Sequence, residues 1–160
     1  MNKIKSVILF IALLFSTDFA LAKSDSEITN DSIAKSAKGS TGEIIVINKN
    51  NFLKKIYNYE KNPKEWVYEG NIPCIIYFYA NWCPHCKTAD LILKELAKEY
   101  KGKIIIYKIN FDNERELASI FSVSSVPTFS FIPTKGNPQS LRSVQTRETF
   151  VKIINDFLLK

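Results

Sequence analysis

The chain has 160 residues and a formal net charge of +6 at pH 7, with 46% apolar and 24% charged residues. That mixture suits one globular domain with or without tails. It excludes wholesale disorder, a collagen-like repeat and a polytopic membrane protein.

Residues 1–22 have the layout of a secretory signal peptide. Lys3 and Lys5 precede an unbroken apolar run, Val7 to Phe15, and Ala20-Leu21-Ala22 offers an A-x-A cleavage site. At about 1.5 Å per residue the apolar run reaches only about 14 Å, roughly half the hydrocarbon core, so a membrane anchor does not fit. Cleavage after Ala22 leaves 138 residues with 20 basic and 15 acidic side chains, a net charge of +5. The mature chain is expected to carry no membrane span and to work outside the cytoplasm, in a periplasm before full secretion, where disulfides persist. Residues 23–42 are rich in Ser, Thr, Lys, Asp and Gly and read as a flexible leader.

A single domain is expected over 43–160. Glu43–Ile47 reads as a short strand, and Asn50–Tyr59 spaces Phe52, Leu53, Ile56 and Tyr57 as a helix. A polar loop follows over Glu60–Asn71. Pro73–Ala80 (PCIIYFYA) is a continuous apolar, β-branched and aromatic run that suits a strand buried on both faces. Cys83–Tyr100 reads as a helix with Ala89, Ile92, Leu93, Leu96, Ala97 and Tyr100 on its apolar face, stopped by Gly102. Lys103–Ile109 is a second buried strand. Asn113–Phe121 is a short helix with Leu117, Ile120 and Phe121 inward. Thr128–Ile132 and Ser140–Val144 are strands joined by a turn at Lys135–Pro138. Arg147–Leu159 is a closing helix with Phe150, Ile153, Ile154, Phe157 and Leu158 inward.

The order is β-α-β-α-β-α-β-β-α. Strands linked through helices favour parallel neighbours, and the tightly linked last pair is antiparallel. An α/β fold is expected, a mixed central sheet with helices on both faces. Three cysteines are too few for a disulfide-stapled scaffold, and one histidine excludes a histidine-rich metal cage.

Chemistry concentrates in Cys83-Pro84-His85-Cys86, between a buried strand and a helix. Cys83 falls at the helix N-cap, with Pro84 in the first turn, where its missing N–H is harmless. Unpaired N–H groups and partial positive charge there favour a thiolate. Lowering a thiol pKa from about 8.5 to about 6 needs roughly 3.4 kcal/mol, and the helix dipole supplies about 1–2 kcal/mol. Backbone N–H bonds and the His85 imidazole are left to supply the rest. Cys83 is therefore read as the exposed attacking sulfur and Cys86 as the less exposed resolving one. Exchange proceeds by thiolate attack on a disulfide sulfur, and a stabilised thiolate makes the disulfide more oxidising. Zinc needs four ligands, and His85 between the cysteines chelates poorly with them, so no metal is expected. Cys74 is about 20 Å of strand away from the motif, beyond disulfide reach, and reads as a buried, unreactive core thiol.

Three stretches in order, YFYANWCPHCK at 77–87, KINFD at 108–112 and SVPTF at 125–129, resemble the thioredoxin family over roughly residues 43–160. The resemblance implies the thioredoxin fold and thiol–disulfide exchange with protein substrates. It implies no cofactor beyond the Cys83–Cys86 pair, and a redox partner that resets it. It also implies a cis-proline at Pro127 facing the cysteines, with the Val126 backbone pairing with an extended substrate segment. Trp82 joins them as a candidate substrate contact, core or surface packing being its other reading.

Where the family keeps a buried aspartate, this chain has Tyr77, a poor proton acceptor, which leaves water or Lys108 to serve Cys86. Lys108 matches the family's lysine. Leu91 stands where a helix proline is usual, so a straighter helix is expected. The Pro-His dipeptide is similar to the oxidising DsbA family. Only 40 residues lie between Cys86 and Pro127, too few for the helical insertion of that family. The expected function is an exported dithiol oxidoreductase leaning toward oxidation. The alternatives are a periplasmic reductase and a dithiol metal-binding module without turnover. Lysines scattered among glutamates argue against nucleic-acid binding. A monomer is expected, since no dimerisation segment is visible.

Overall fold

The computed structural model describes residues 41–160. The signal peptide read over 1–22 lies outside them, as does the leader read over 23–42 apart from Thr41 and Gly42. Five strands form one mixed sheet: β1 (Ile44–Val46), β2 (Cys74–Tyr79), β3 (Ile105–Asn110), β4 (Thr128–Ile132) and β5 (Gln139–Arg142). Their order across the sheet is β1-β3-β2-β4-β5. β1, β3 and β2 run parallel, and β4 pairs antiparallel with both β2 and β5. The helices are α1 (Lys49–Lys55), α2 (Pro84–Glu99), α3 (Arg115–Ile120) and α4 (Arg147–Ile153), the last continuing as a π-helical turn over Ile154–Leu158. This is the expected α/β architecture of the thioredoxin fold.

β2 is central because its side chains are apolar on both sides. Alternation along the strand sends Ile75 and Tyr77 to one face and Cys74, Ile76 and Phe78 to the other. The first face packs under Ala89, Leu93 and Leu96 of α2 and under Phe150 and Ile154. Phe150 meets Phe129 edge-on at 4.9 Å, and Phe129 stacks on Tyr77 at 5.2 Å. The second face takes Phe52 and Ile56 from the first helical segment and Leu117 and Ala118 from α3. Each fully buried large apolar side chain contributes about 1.5–3 kcal/mol, so these two layers hold the sheet rigidly under the motif.

Several boundaries differ from the sequence reading. α1 ends at Lys55 rather than Tyr59, because Tyr57 forms a bridge with Tyr68 and the Glu69 N–H donates to the Ile56 carbonyl. The segment read as a polar loop thereby brings Trp66 against Tyr57, ring centroids 4.5 Å apart. In α3, Ile120 is exposed rather than inward. The helix stops there, the chain turns through Ser122 at φ 51°, and Val123 takes the buried position. The last helix widens after Ile153, which leaves both Ile154 and Leu158 buried. α2 leaves its last turn as expected, through Gly102 at φ 81°.

Candidate active site

α2 begins where β2 delivers the chain to one edge of the apolar layer. Cys83 is its N-cap and Pro84 its first residue. The Cys86 N–H donates to Cys83 Sγ at 3.1 Å, so one of the helix's free amides does point at this sulfur. No acidic residue stands in the first turn to oppose negative charge there. Cys83 and Cys86 are joined as a disulfide with Cα atoms 5.3 Å apart.

Cys83 is not exposed. Both cysteines are 3% accessible: the second is hidden as expected, but the expectation that the first stands open is corrected. The cap turns the Cys83 sulfur inward, its N–H is tied to the Ala80 carbonyl at 3.2 Å, and Ala80, Cys83 and Cys86 join the apolar layer above β2. Its neighbours Trp82, Pro84 and His85 are the exposed residues of the motif.

Opposite the motif, the Val126–Pro127 peptide bond is cis. Val126 and Pro127 line a shallow groove of about 380 Å³ with His85, Ser125, Ser143 and Val144. The groove walls are pinned: the Ser143 N–H donates to the Pro127 carbonyl at 3.0 Å, and the Thr128 hydroxyl donates to the Ser125 carbonyl at 2.7 Å.

Trp82 is 66% exposed, so it is no core residue. Its indole N–H donates to Asp112 Oδ2 at 2.9 Å, and Arg115 holds the other oxygen of that carboxylate at 3.0 Å. Arg115 in turn lies 4.1 Å over the Phe111 ring. An exposed tryptophan is thus locked in one orientation beside the disulfide.

Tyr77 lies fully buried beneath the motif. Its hydroxyl donates to the Cys86 carbonyl at 2.9 Å. Burial, and then the nearby Asp90 charge, push the phenol above its ordinary pKa, so it is no proton acceptor. Lys108, across from Tyr77 in the β2–β3 register, does not stand free to serve Cys86. Its ammonium is held by both Asp90 oxygens at 2.6 and 2.7 Å, and it lies 4.0 Å over the Tyr79 ring. Asp90 was not anticipated as a site residue. The available signal was Lys108 itself, a charge inside an apolar strand that requires a counter-charge.

Cys74 is fully buried and free, as expected. Burial pushes its thiol up to about 12, and the Tyr68 hydroxyl beside it offsets only part of that.

The thioredoxin family model matches residues 43–156. The chain belongs to the thioredoxin family. It is 40% identical over 113 residues to the thioredoxin of Borreliella burgdorferi, covering 71% of this chain and 96% of that protein. It is 35% identical over 95 residues to the chloroplastic M-type thioredoxin of Spinacia oleracea, covering 59% of this chain and 52% of that protein. Among solved structures, a mutant thioredoxin from Halobacterium salinarum superposes with a TM-score of 0.59 over 75% of this chain and 95% of that one; at 20% identity it supports the fold alone.

As a member of the thioredoxin family the chain is a thiol–disulfide oxidoreductase, and that family acts on protein disulfides. Family members need no cofactor beyond the redox-active disulfide. Among the described residues, no group of three or more His, Cys, Asp and Glu could hold a metal ion.

Proposed function

We propose that this thioredoxin is an exported dithiol oxidoreductase poised toward oxidation, with a DsbA-like Pro-His dipeptide on a minimal thioredoxin fold. The observation that carries the reading is His85: an exposed imidazole in the first turn of α2, a turn in which the Cys86 amide already donates to Cys83 sulfur and no carboxylate stands. In the oxidising direction a substrate thiolate attacks Cys83 sulfur and the Cys83–Cys86 bond breaks. Cys86 leaves as a thiolate and takes up a proton. A second substrate thiolate then attacks the substrate sulfur of the mixed disulfide, forming the substrate disulfide and releasing Cys83 as a thiolate. Every group that stabilises that leaving thiolate drives the transfer. The Val126–Pro127 groove holds the extended substrate segment, and Trp82 covers its flank.

The test is the equilibrium of the Cys83–Cys86 pair with glutathione. Losing an imidazole that favours the Cys83 thiolate is taken to change that thiol by about one pKa unit. His85→Gly is therefore expected to make the disulfide about tenfold less oxidising. An unchanged constant removes the imidazole from the mechanism, and a wild-type value in the reducing range makes the same site a reductase. Export is tested by the mature N-terminus, expected at Lys23 when the full chain is produced in a bacterium with a periplasm. A chain retaining residues 1–22 overturns the exported reading.

A further inference from the structure

The pair formed by Asp90 and Lys108 belongs to no part of the exchange described so far, yet Asp90 stands one helical turn from Cys86, whose sulfur the exchange must protonate and deprotonate. Asp90 follows Cys86 by four residues on α2, so the two share a face. Side chains on a helix lean toward its N-terminus, which directs the Asp90 carboxylate back toward the Cys86 turn. Lys108 reaches the same place from β3. Its backbone pairs with Tyr77, its Nζ lies 5.4 Å from the Tyr77 ring, and the Tyr77 hydroxyl is bonded to the Cys86 carbonyl. The two side chains are only 15% and 26% exposed, so solvent screens them less than a surface pair.

We infer that Asp90 is an electrostatic brake on Cys86: by clamping the Lys108 ammonium with both oxygens, it cancels a cation that would otherwise stabilise the Cys86 thiolate. Asp90 and Lys108 are positioning residues, acting on the charge that Cys86 can carry. The inference rests on Cys86 being the buried partner of Cys83 in the exchange. In the resolving step Cys86 loses its proton to solvent, and its thiolate attacks Cys83 sulfur. The Cys83–substrate bond breaks, and the substrate sulfur leaves as a thiolate that takes up a proton. A clamped cation keeps Cys86 protonated and delays that step. The mixed disulfide therefore lives longer.

Few other charges compete for this role. α2 supplies Cys83, with His85 and Lys87 both turned to solvent. β2 supplies the phenols of Tyr77 and Tyr79. β4 contributes Phe129, and the segment before it contributes Ser125, Val126 and Pro127. α4 packs Phe150 into the layer, while its Arg147 pairs with Glu99. Asp112 and Arg115 are bound to each other beside Trp82.

The two charges make opposite predictions, which a structural role for the same ion pair does not. In the reduced Cys83→Ala protein, the iodoacetamide reaction of Cys86 is followed against pH. A nearby opposite charge shifts an acid by about one unit or more. Asp90→Asn is therefore expected to lower the apparent pKa of Cys86 and to raise alkylation at pH 7 about tenfold. Lys108→Gln is expected to raise the pKa and slow alkylation by a similar factor, and the double variant to return toward the parent. Shifts of the same sign in the two single variants, or no shift, overturn the inference. Asp90→Asn keeps an acceptor for Lys108 in the same place and decides the matter alone if Lys108→Gln does not fold. Failure of the underlying role assignment is read separately: disulfide exchange that survives Cys83→Ala removes that assignment, whatever Cys86 does.

Discussion

Replacing Tyr77 by Phe removes one buried oxygen and leaves the ring in place. That oxygen donates to the Cys86 carbonyl at 2.9 Å from a side chain with no exposed surface. A neutral hydrogen bond of this kind contributes about 1 kcal/mol net. The carbonyl it serves is also the acceptor for the amide four residues on, which α2 itself supplies. No buried acceptor is then orphaned, and the larger penalty of about 1–3 kcal/mol for an unsatisfied group does not arise. The ring keeps its stack on Phe129 at 5.2 Å. The expected loss is thus about 0.5–1.5 kcal/mol. Urea denaturation, with a slope of about 2 kcal/mol per molar, reads this as a midpoint lower by about 0.5 M. The helix start is tethered whether the cysteines are joined or reduced, so both forms should lose the same amount. By the thermodynamic cycle linking folding and oxidation, the glutathione equilibrium then moves by less than about twofold. A loss above about 3 kcal/mol, or a tenfold change in that equilibrium, would show that the hydroxyl serves the sulfur rather than the helix backbone.

Cys74 should resist alkylation in the native reduced protein at pH 8, because a thiol pushed up to about 12 carries about one part in ten thousand of thiolate. Peptide mass spectrometry should find the label on Cys83 and Cys86 and reach Cys74 only after unfolding; labelling of all three at similar rates would contradict its burial. Phe150→Ala should cost about 3–5 kcal/mol in the same urea assay, since the ring is fully buried between Phe129 and Phe131. A loss under about 1 kcal/mol would mean that α4 is not part of the core it closes.

The element order was legible because each element carries one strong period. The run CIIYFY can only be a strand buried on both faces, and the spacing of Ala89, Leu93, Leu96 and Ala97 marks one side of a helix. The cap at Cys83 was legible from Pro84 alone. The end of α1 was not, since its helical spacing continues to Tyr57 while a bridge to Tyr68 takes that residue away. Such a bridge is a tertiary contact with no local signature. The burial of Cys83 was missed for a similar reason. A cap residue next to Trp82 and Pro84 looks open in the sequence, and only the apolar layer above β2 shows that its sulfur turns inward. Asp90 was missed because it lies on a helix and its partner on a strand 18 residues further along the chain. A helix surface offers many carboxylates, and only the β2–β3 register selects the one facing Lys108.

The two outermost strands of the sheet are also its shortest, three residues in β1 and four in β5. A flank that brief gives a neighbouring molecule almost no ladder of free amides and carbonyls on which to extend the sheet. Arg142 closes one of those flanks with a charge that would be buried by such pairing. The fold thus discourages lateral self-polymerisation through its open sheet edges.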